Sequence, residues 1–227
     1  MKKVKPDDDI GQVVRIWDRD QSVLIYLPFE SDHIQKSIRQ SQAFYEHRFL
    51  EFLSRCLNKG ATVVDVGANI GNHTLYFAGI CGLRAIAFEP NLTAYEILEK
   101  NIQINDLRAQ VKTVNLALGA SEGKGSISVP KDNLGAARIV DDDQGNVKIS
   151  TLDQFDLKTT IDLIKIDVEG MEYSVLQGAK KTIKRERPIV AVEVHDHKVL
   201  KDIEAFLQEV DYIHGDTFNW TPTEVFF

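Results

Sequence analysis

Across 227 residues the chain has no uninterrupted apolar run of about 18, the length a membrane-crossing helix needs, so no membrane span is expected. Cysteine is scarce. Cys56 falls on a helical face and Cys81 in a turn rich in Ala and Gly, and two such thiols suit a reducing, cytoplasmic setting better than a disulfide framework. Positive charge is in deficit: 27 Lys and Arg stand against 34 Asp and Glu, a net charge of −7, which disfavours nucleic acid or an anionic membrane as partner. The local cluster Lys180, Lys181, Lys184, Arg185 and Arg187 reads as the solvated end of a helix. The opening MKKVKPDDDIGQ has no apolar segment behind its basic residues, so it does not read as a secretory leader, and residues 1–12 are expected to be a loose, solvated end.

What is present concentrates in residues 62–91, TVVDVGANIGNHTLYFAGICGLRAIAFEPN. Val63, Val64 and Val66 read as a buried strand, with Asp65 and Gly67 at its carboxyl end. Gly67 to Gly71 form a turn of small residues, followed by a helix over residues 72–78 whose free N–H groups face the turn. A second strand, Ala85 to Phe88, ends in Glu89, 18 residues after Gly71, near where a nucleotide-binding βαβ unit places the carboxylate that accepts both ribose hydroxyls. The G-x-G-x-x-G pattern that makes room for a pyrophosphate is absent, because the turn reads G-A-N-I-G. An adenosyl ligand with an amino-acid tail and no phosphates fits better, with Asp65 and Asn69 placed to meet its ammonium and carboxylate directly or through water.

At this point the chain resembles the FkbM family of class I S-adenosylmethionine-dependent methyltransferases. The blocks DVGANIGNHTLYFA, AFEPN, ALG, STLD and IDLIKIDVEGMEYSVLQGA follow one another within residues 43–195. The resemblance implies an α/β, Rossmann-like fold: a seven-stranded, mostly parallel sheet in the order 3-2-1-4-5-7-6, preceded by an N-terminal β-hairpin and helical cover. It implies S-adenosylmethionine as cofactor, held by Asp65, Gly67, Asn69, Gly71, Glu89 and Asp167. Asn115 (side chain) and Ala117 (backbone) are its suggested adenine contacts, and the pair Tyr45 and Glu46 is suggested to lie near the pocket. The acceptor implied is a hydroxyl on a sugar, glycan or small secondary metabolite.

The remaining elements follow from periodicity and breakers. Residues 1–42 are expected to hold a hairpin (residues 13–17 and 23–27) and a short helix (31–41), and residues 43–227 the methyltransferase domain as one unit. Tyr45, Phe49, Phe52, Leu53, Cys56 and Leu57 give a helical stripe. Thr93 reads as the cap of the next helix and residues 111–118 as the third strand. Residues 120–150, punctuated by Gly123, Gly125, Gly135 and Gly145, read as small strands or a flexible crossover, with Asp141 to Asp143 a solvated turn. Asp153 reads as a cap for the turn after it, Gly170 as the start of one helix running past Ile183, residues 200–210 as another helix, and residues 212–216 and 225–227 as a final antiparallel pair with Trp220 packed between them.

Residues 161–168 and 189–194 read as central parallel strands, so their polar exceptions are informative. Lys165, Asp167 and Glu169 share one face, Glu193 and His195 the other strand's equivalent, and both strand ends border the crevice where open α/β sheets bind ligands. Buried charges there must be paired, bound to metal or set in a polar cleft. Asp167 is expected nearest the transferring methyl as an orienting group. His195 is expected to act as base, imidazole being suited to that work, and Glu193 completes the catalytic set. No metal is assigned, although Asp167, Glu193 and Asp196 leave a divalent ion open. The alternatives are an NAD-dependent oxidoreductase or an inactive S-adenosylmethionine-binding partner protein; the N/D-P-P-Y/F block of amino-methylating DNA enzymes is replaced by D-V-E-G. Oligomeric state is not legible.

Overall fold

The computed structural model describes residues 12–227 apart from 132 and 156. The expected solvated end with Asp7 to Asp9 lies outside the described residues. The hairpin is present as β1 (Val13–Asp18) antiparallel to β2 (Gln21–Tyr26), followed by α1 (His33–Ser41) and α2 (His47–Cys56). Asp32 caps α1 by accepting from the Gln35 N–H at 3.0 Å.

Seven strands form the main sheet: β3 (Thr62–Val66), β4 (Arg84–Phe88), β5 (Val111–Val114), β10 (Leu163–Ile166), β11 (Ile189–Glu193), β12 (His214–Phe218) and β13 (Thr223–Phe226). From one edge they run β5-β4-β3-β10-β11-β13-β12, which is the expected order 3-2-1-4-5-7-6. Pairs within the first five strands are parallel, while β13 is antiparallel to both β11 and β12. Every residue of β3 and of β10 is buried, as expected of strands covered on both faces. One apolar cluster joins hairpin residues Ile16, Val23, Ile25 and Leu27 to Val63, Leu75 and Leu98; a second, with Val64, Ile164, Leu176 and Ile203, fills the opposite face.

Several local expectations change. The helix after the Gly67 turn is a short α3 (Asn72–Leu75) that widens into a π turn over Tyr76–Ile80. α4 (Leu92–Ile104) is capped by Asn91, which accepts from the Thr93 N–H at 3.1 Å, and not by Thr93. The third strand stops at Val114. The chain then leaves the sheet, and β6 (Ala117–Leu118) pairs with β9 (Val147–Ser150) in a second sheet completed by β7 (Gly123–Ser128) and β8 (Arg138–Asp141), so the broken rhythm of residues 120–150 is that of small strands. The helix beyond Gly170 is split into α5 (Glu172–Gly178) and α6 (Lys180–Glu186). Asp153 explains the split: its carboxylate accepts from the Lys181 and Thr182 N–H groups at 2.9 and 2.8 Å, capping α6 across the fold where a local cap was expected. α7 (His197–Gln208) leads to the β12–β13 pair, and Trp220 between those strands is fully exposed where packing was expected.

Candidate active site

The strand ends of β3, β4, β10 and β11 converge on one cavity of about 520 Å³. The turn after β3 is the tightest point. Gly67 has φ +76°, and a Cβ there would lie 1.8 Å from the carbonyl oxygen of Asp167, a backbone atom unable to step aside. The Gly67 and Ala68 N–H groups both donate to the Phe88 carbonyl at 3.0 Å, which lays the turn across the end of β4. Glu89 therefore starts the next segment beneath the turn. Its carboxylate accepts from the Asn69 N–H and the Asn91 N–H, each at 2.7 Å. Burial pushes Glu89 up to about 7, against the pull of those two N–H groups and of the Lys165 ammonium.

Cover and roof close the cavity. Tyr45 and Asn72 exchange two hydrogen bonds, Tyr45 N–H to Asn72 Oδ1 at 3.1 Å and Asn72 Nδ2 to the Tyr45 carbonyl at 3.0 Å, which holds the cover against α3. Above, the turn Leu134–Ala136 forms a roof whose Leu134 N–H donates to Asp32 at 2.9 Å, the same carboxylate that caps α1. Leu116, Ala117, Leu118, Ile139 and Met171 make an apolar wall beside Glu89, whereas Tyr45, Glu46, Asp167, Glu169, Glu193, His195 and Trp220 line the other part.

The charged side chains are paired through one buried lysine. Lys165, 3% exposed, lies 3.1 Å from Asp65, 3.2 Å from Asp167 and 3.2 Å from the Gly67 carbonyl. Burial works against its ammonium, but the charges of Asp167 and Asp65 more than compensate and raise its pKa. Burial would also raise Asp167, yet Lys165 and a hydrogen bond with Glu193 hold it well below the usual carboxylate range. Glu193 goes the other way, pushed far up by burial and by the Asp167 charge, so the two carboxyls titrate together as one pair. His195 Nε2 lies 3.6 Å from Glu169 and 3.8 Å from Glu193. His73, buried on α3, lies 3.3 Å from Glu46 and helps lower Asp167.

Gly67, Asn69, Glu89, Ala117, Asp167, Glu193 and His195 all line the cavity. Three expected cofactor residues do not. Asp65 is fully buried behind the wall, its carboxylate taken by the Thr74 hydroxyl at 2.6 Å and by Lys165, so it acts on the cavity only through that lysine. Gly71, at φ +91°, turns the chain into α3 where a Cβ would sit 2.6 Å from Leu98 Cδ1, so its work is packing. Asn115 donates to the Glu89 and Pro90 carbonyls at 2.8 and 3.2 Å, tying two loop starts together, and leaves the apolar wall to its neighbours. The divalent-ion alternative loses a member because Asp196 caps α7 through the Lys198 N–H at 2.7 Å. Among the described residues no group of three or more His, Cys, Asp or Glu could hold a metal ion, and no helix is long and apolar enough to cross a membrane. His33, His73, Met171 and the 133–137 roof were missed; Gly135 among the glycines of that stretch was the one signal for the roof.

Residues 65–213 match the family model described as the methyltransferase FkbM domain. Hexuronic acid methyltransferase AglP of Haloferax volcanii is 31% identical over 160 residues, which span 64% of this chain and 60% of that protein. Methyltransferase sdnD of Sordaria araneosa is 26% identical over 205 residues, covering 71% of this chain and 78% of that one. Among solved structures, methyltransferase FkbM from Methylobacillus flagellatus superposes with a TM-score of 0.61 at 21% identity, over 78% of this chain and 46% of the other, a likeness of fold. The chain thus spans 60% of the length of AglP and less than half of the Methylobacillus protein.

Proposed function

The chain belongs to the FkbM methyltransferase family, and from that membership and the cavity we propose that it transfers a methyl group from S-adenosylmethionine to a hydroxyl of a sugar, glycan or other small metabolite. The observation that carries this reading is Glu89: each oxygen already accepts one backbone N–H, and each keeps a lone pair for one ribose hydroxyl. The cavity fits the cofactor on further counts. Its volume lies in the range of ligand sites, an apolar wall beside Glu89 suits an adenine, and the buried Asn69 Oδ1 has no partner among the described residues.

When bound, S-adenosylmethionine supplies an electrophilic methyl group on a sulfonium. The protein must then position the acceptor and take its proton. His195 is the proposed base, since Glu169 and Glu193 flank its ring and Glu169 would stabilise the imidazolium formed. Asp167, kept ionised by Lys165, is the proposed orienting group for the acceptor hydroxyl. Asn69 is assigned to the amino-acid tail, and Ala117 to the adenine. A cytoplasmic site of action suits Cys56 and Cys81, both free.

Titration of the purified chain with S-adenosylhomocysteine and with NAD tests the cofactor. Binding of the former without the latter is expected, and binding of NAD alone would move the chain to the oxidoreductases.

A further inference from the structure

Charge is distributed one-sidedly around the cavity. Five carboxyl groups line it (Glu46, Glu89, Asp167, Glu169 and Glu193), and among the described residues no Lys or Arg does. With Glu89 assigned to the ribose, four remain for the acceptor part. Their partners do not reverse the balance. Lys165 is behind the wall and is shared between Asp65 and Asp167. Arg138, most of its side chain in solvent, lies 3.5 Å from Glu169. His73 faces Glu46, and His195 faces Glu169 and Glu193. Trp220 stands at the same part of the lining with its indole uncovered.

We propose that this half of the cavity takes an acceptor without any carboxylate or phosphate, a neutral or amine-bearing sugar ring whose apolar face stacks on Trp220 while its hydroxyls meet Glu46, Asp167 and Glu169. The inference rests on the methyltransferase reading and narrows its substrate class. An anionic sugar brought beside Asp167 and Glu169 would meet only cations already taken, Lys165 by Asp65 and Asp167 and Arg138 by Glu169, and the like charges disfavour it. An ammonium gains where the carboxylate loses. Sugar rings offer C–H edges to an aromatic face, and an exposed indole at a site mouth is suited to that contact. The hexuronic acid named for AglP is therefore not the acceptor class expected here.

Calorimetry on the intact chain saturated with S-adenosylhomocysteine tests the proposal, with glucosamine, glucose and glucuronate as probes at one ionic strength. Affinity should fall in that order, with glucuronate about tenfold or more below glucose. Glu169→Gln should narrow the gap by improving glucuronate, and Trp220→Ala should weaken glucosamine and glucose alike. Glucuronate binding as well as glucose, a gap unmoved in Glu169→Gln, or no binding of any probe would overturn it. Failure of S-adenosylhomocysteine itself to bind would instead overturn the function proposed above.

Discussion

Glu89 is buried among groups that both want it charged and penalise the charge. Two N–H donors and Lys165 favour the carboxylate, burial favours the acid, and the outcome lies near 7. Because this value is raised above that of the unfolded chain, the stability Glu89 contributes is full below the unfolded value of about 4.3 and is lost as pH rises through about 7. A ribose diol donates to the charged form, so binding should release a proton and strengthen with pH. Between about pH 6 and 8 the affinity for S-adenosylhomocysteine should rise up to about tenfold, with proton release visible as a buffer-dependent calorimetric enthalpy. A flat profile would separate Glu89 from the ligand. His195 makes a different prediction: His195→Ala should lower kcat by about 10²–10⁴-fold and leave S-adenosylhomocysteine affinity unchanged. A change in affinity with turnover intact would assign His195 to binding.

At the scale of elements, the sheet was legible and the loops that finish the site were not. Nearly continuous apolar runs such as that from Ile161 to Val168 read as central strands, and Lys165 and Asp167 stood out because they interrupt one. Whether an acid at a strand end points into the cavity or behind it depends on partners distant in sequence. Asp65 meets Lys165 and Thr74, and Asp153 reaches α6 at Thr182; neither contact leaves a mark on local periodicity. The roof at Leu134–Ala136 depends on Asp32, 102 residues earlier. Turn geometry can be tested at Gly71. Gly71→Ala combines a positive φ with a Cβ set against Leu98, and should cost about 1–3 kcal/mol, lowering Tm by several degrees in a thermal melt. An unchanged Tm would mean that the turn and Leu98 relax freely.

On the scale of the whole molecule, the hairpin is bound to α4 by two asparagines one helical turn apart. Asn105 accepts from the Leu24 N–H at 2.8 Å and donates to the Leu24 carbonyl at 2.7 Å. Asn101, fully buried, accepts from the Tyr26 N–H at 2.6 Å and donates to the Ile70 carbonyl at 2.8 Å, so one side chain links hairpin, α4 and the cofactor turn. Hairpin and domain should therefore unfold together. In a Trp220→Phe background, Trp17 fluorescence and far-UV circular dichroism should give coincident urea transitions, and Asn101→Ala should shift both to lower urea by a loss of about 1–3 kcal/mol. A separate early transition at Trp17 would make the hairpin an independent unit. Such coupling would place the cover, the Asn69 turn and Glu89 under one stability, which a site assembled from both sides of the sheet requires.

The grip of Glu89 on a ribose diol is tested most directly from the ligand's side, on the unaltered protein, by comparing S-adenosylhomocysteine with its 2′-deoxy analogue in calorimetry. Loss of one hydrogen bond to a charged acceptor should weaken binding by about tenfold or more, and Glu89→Gln should shrink that difference. Equal affinity for the two ligands in the native chain would contradict the account.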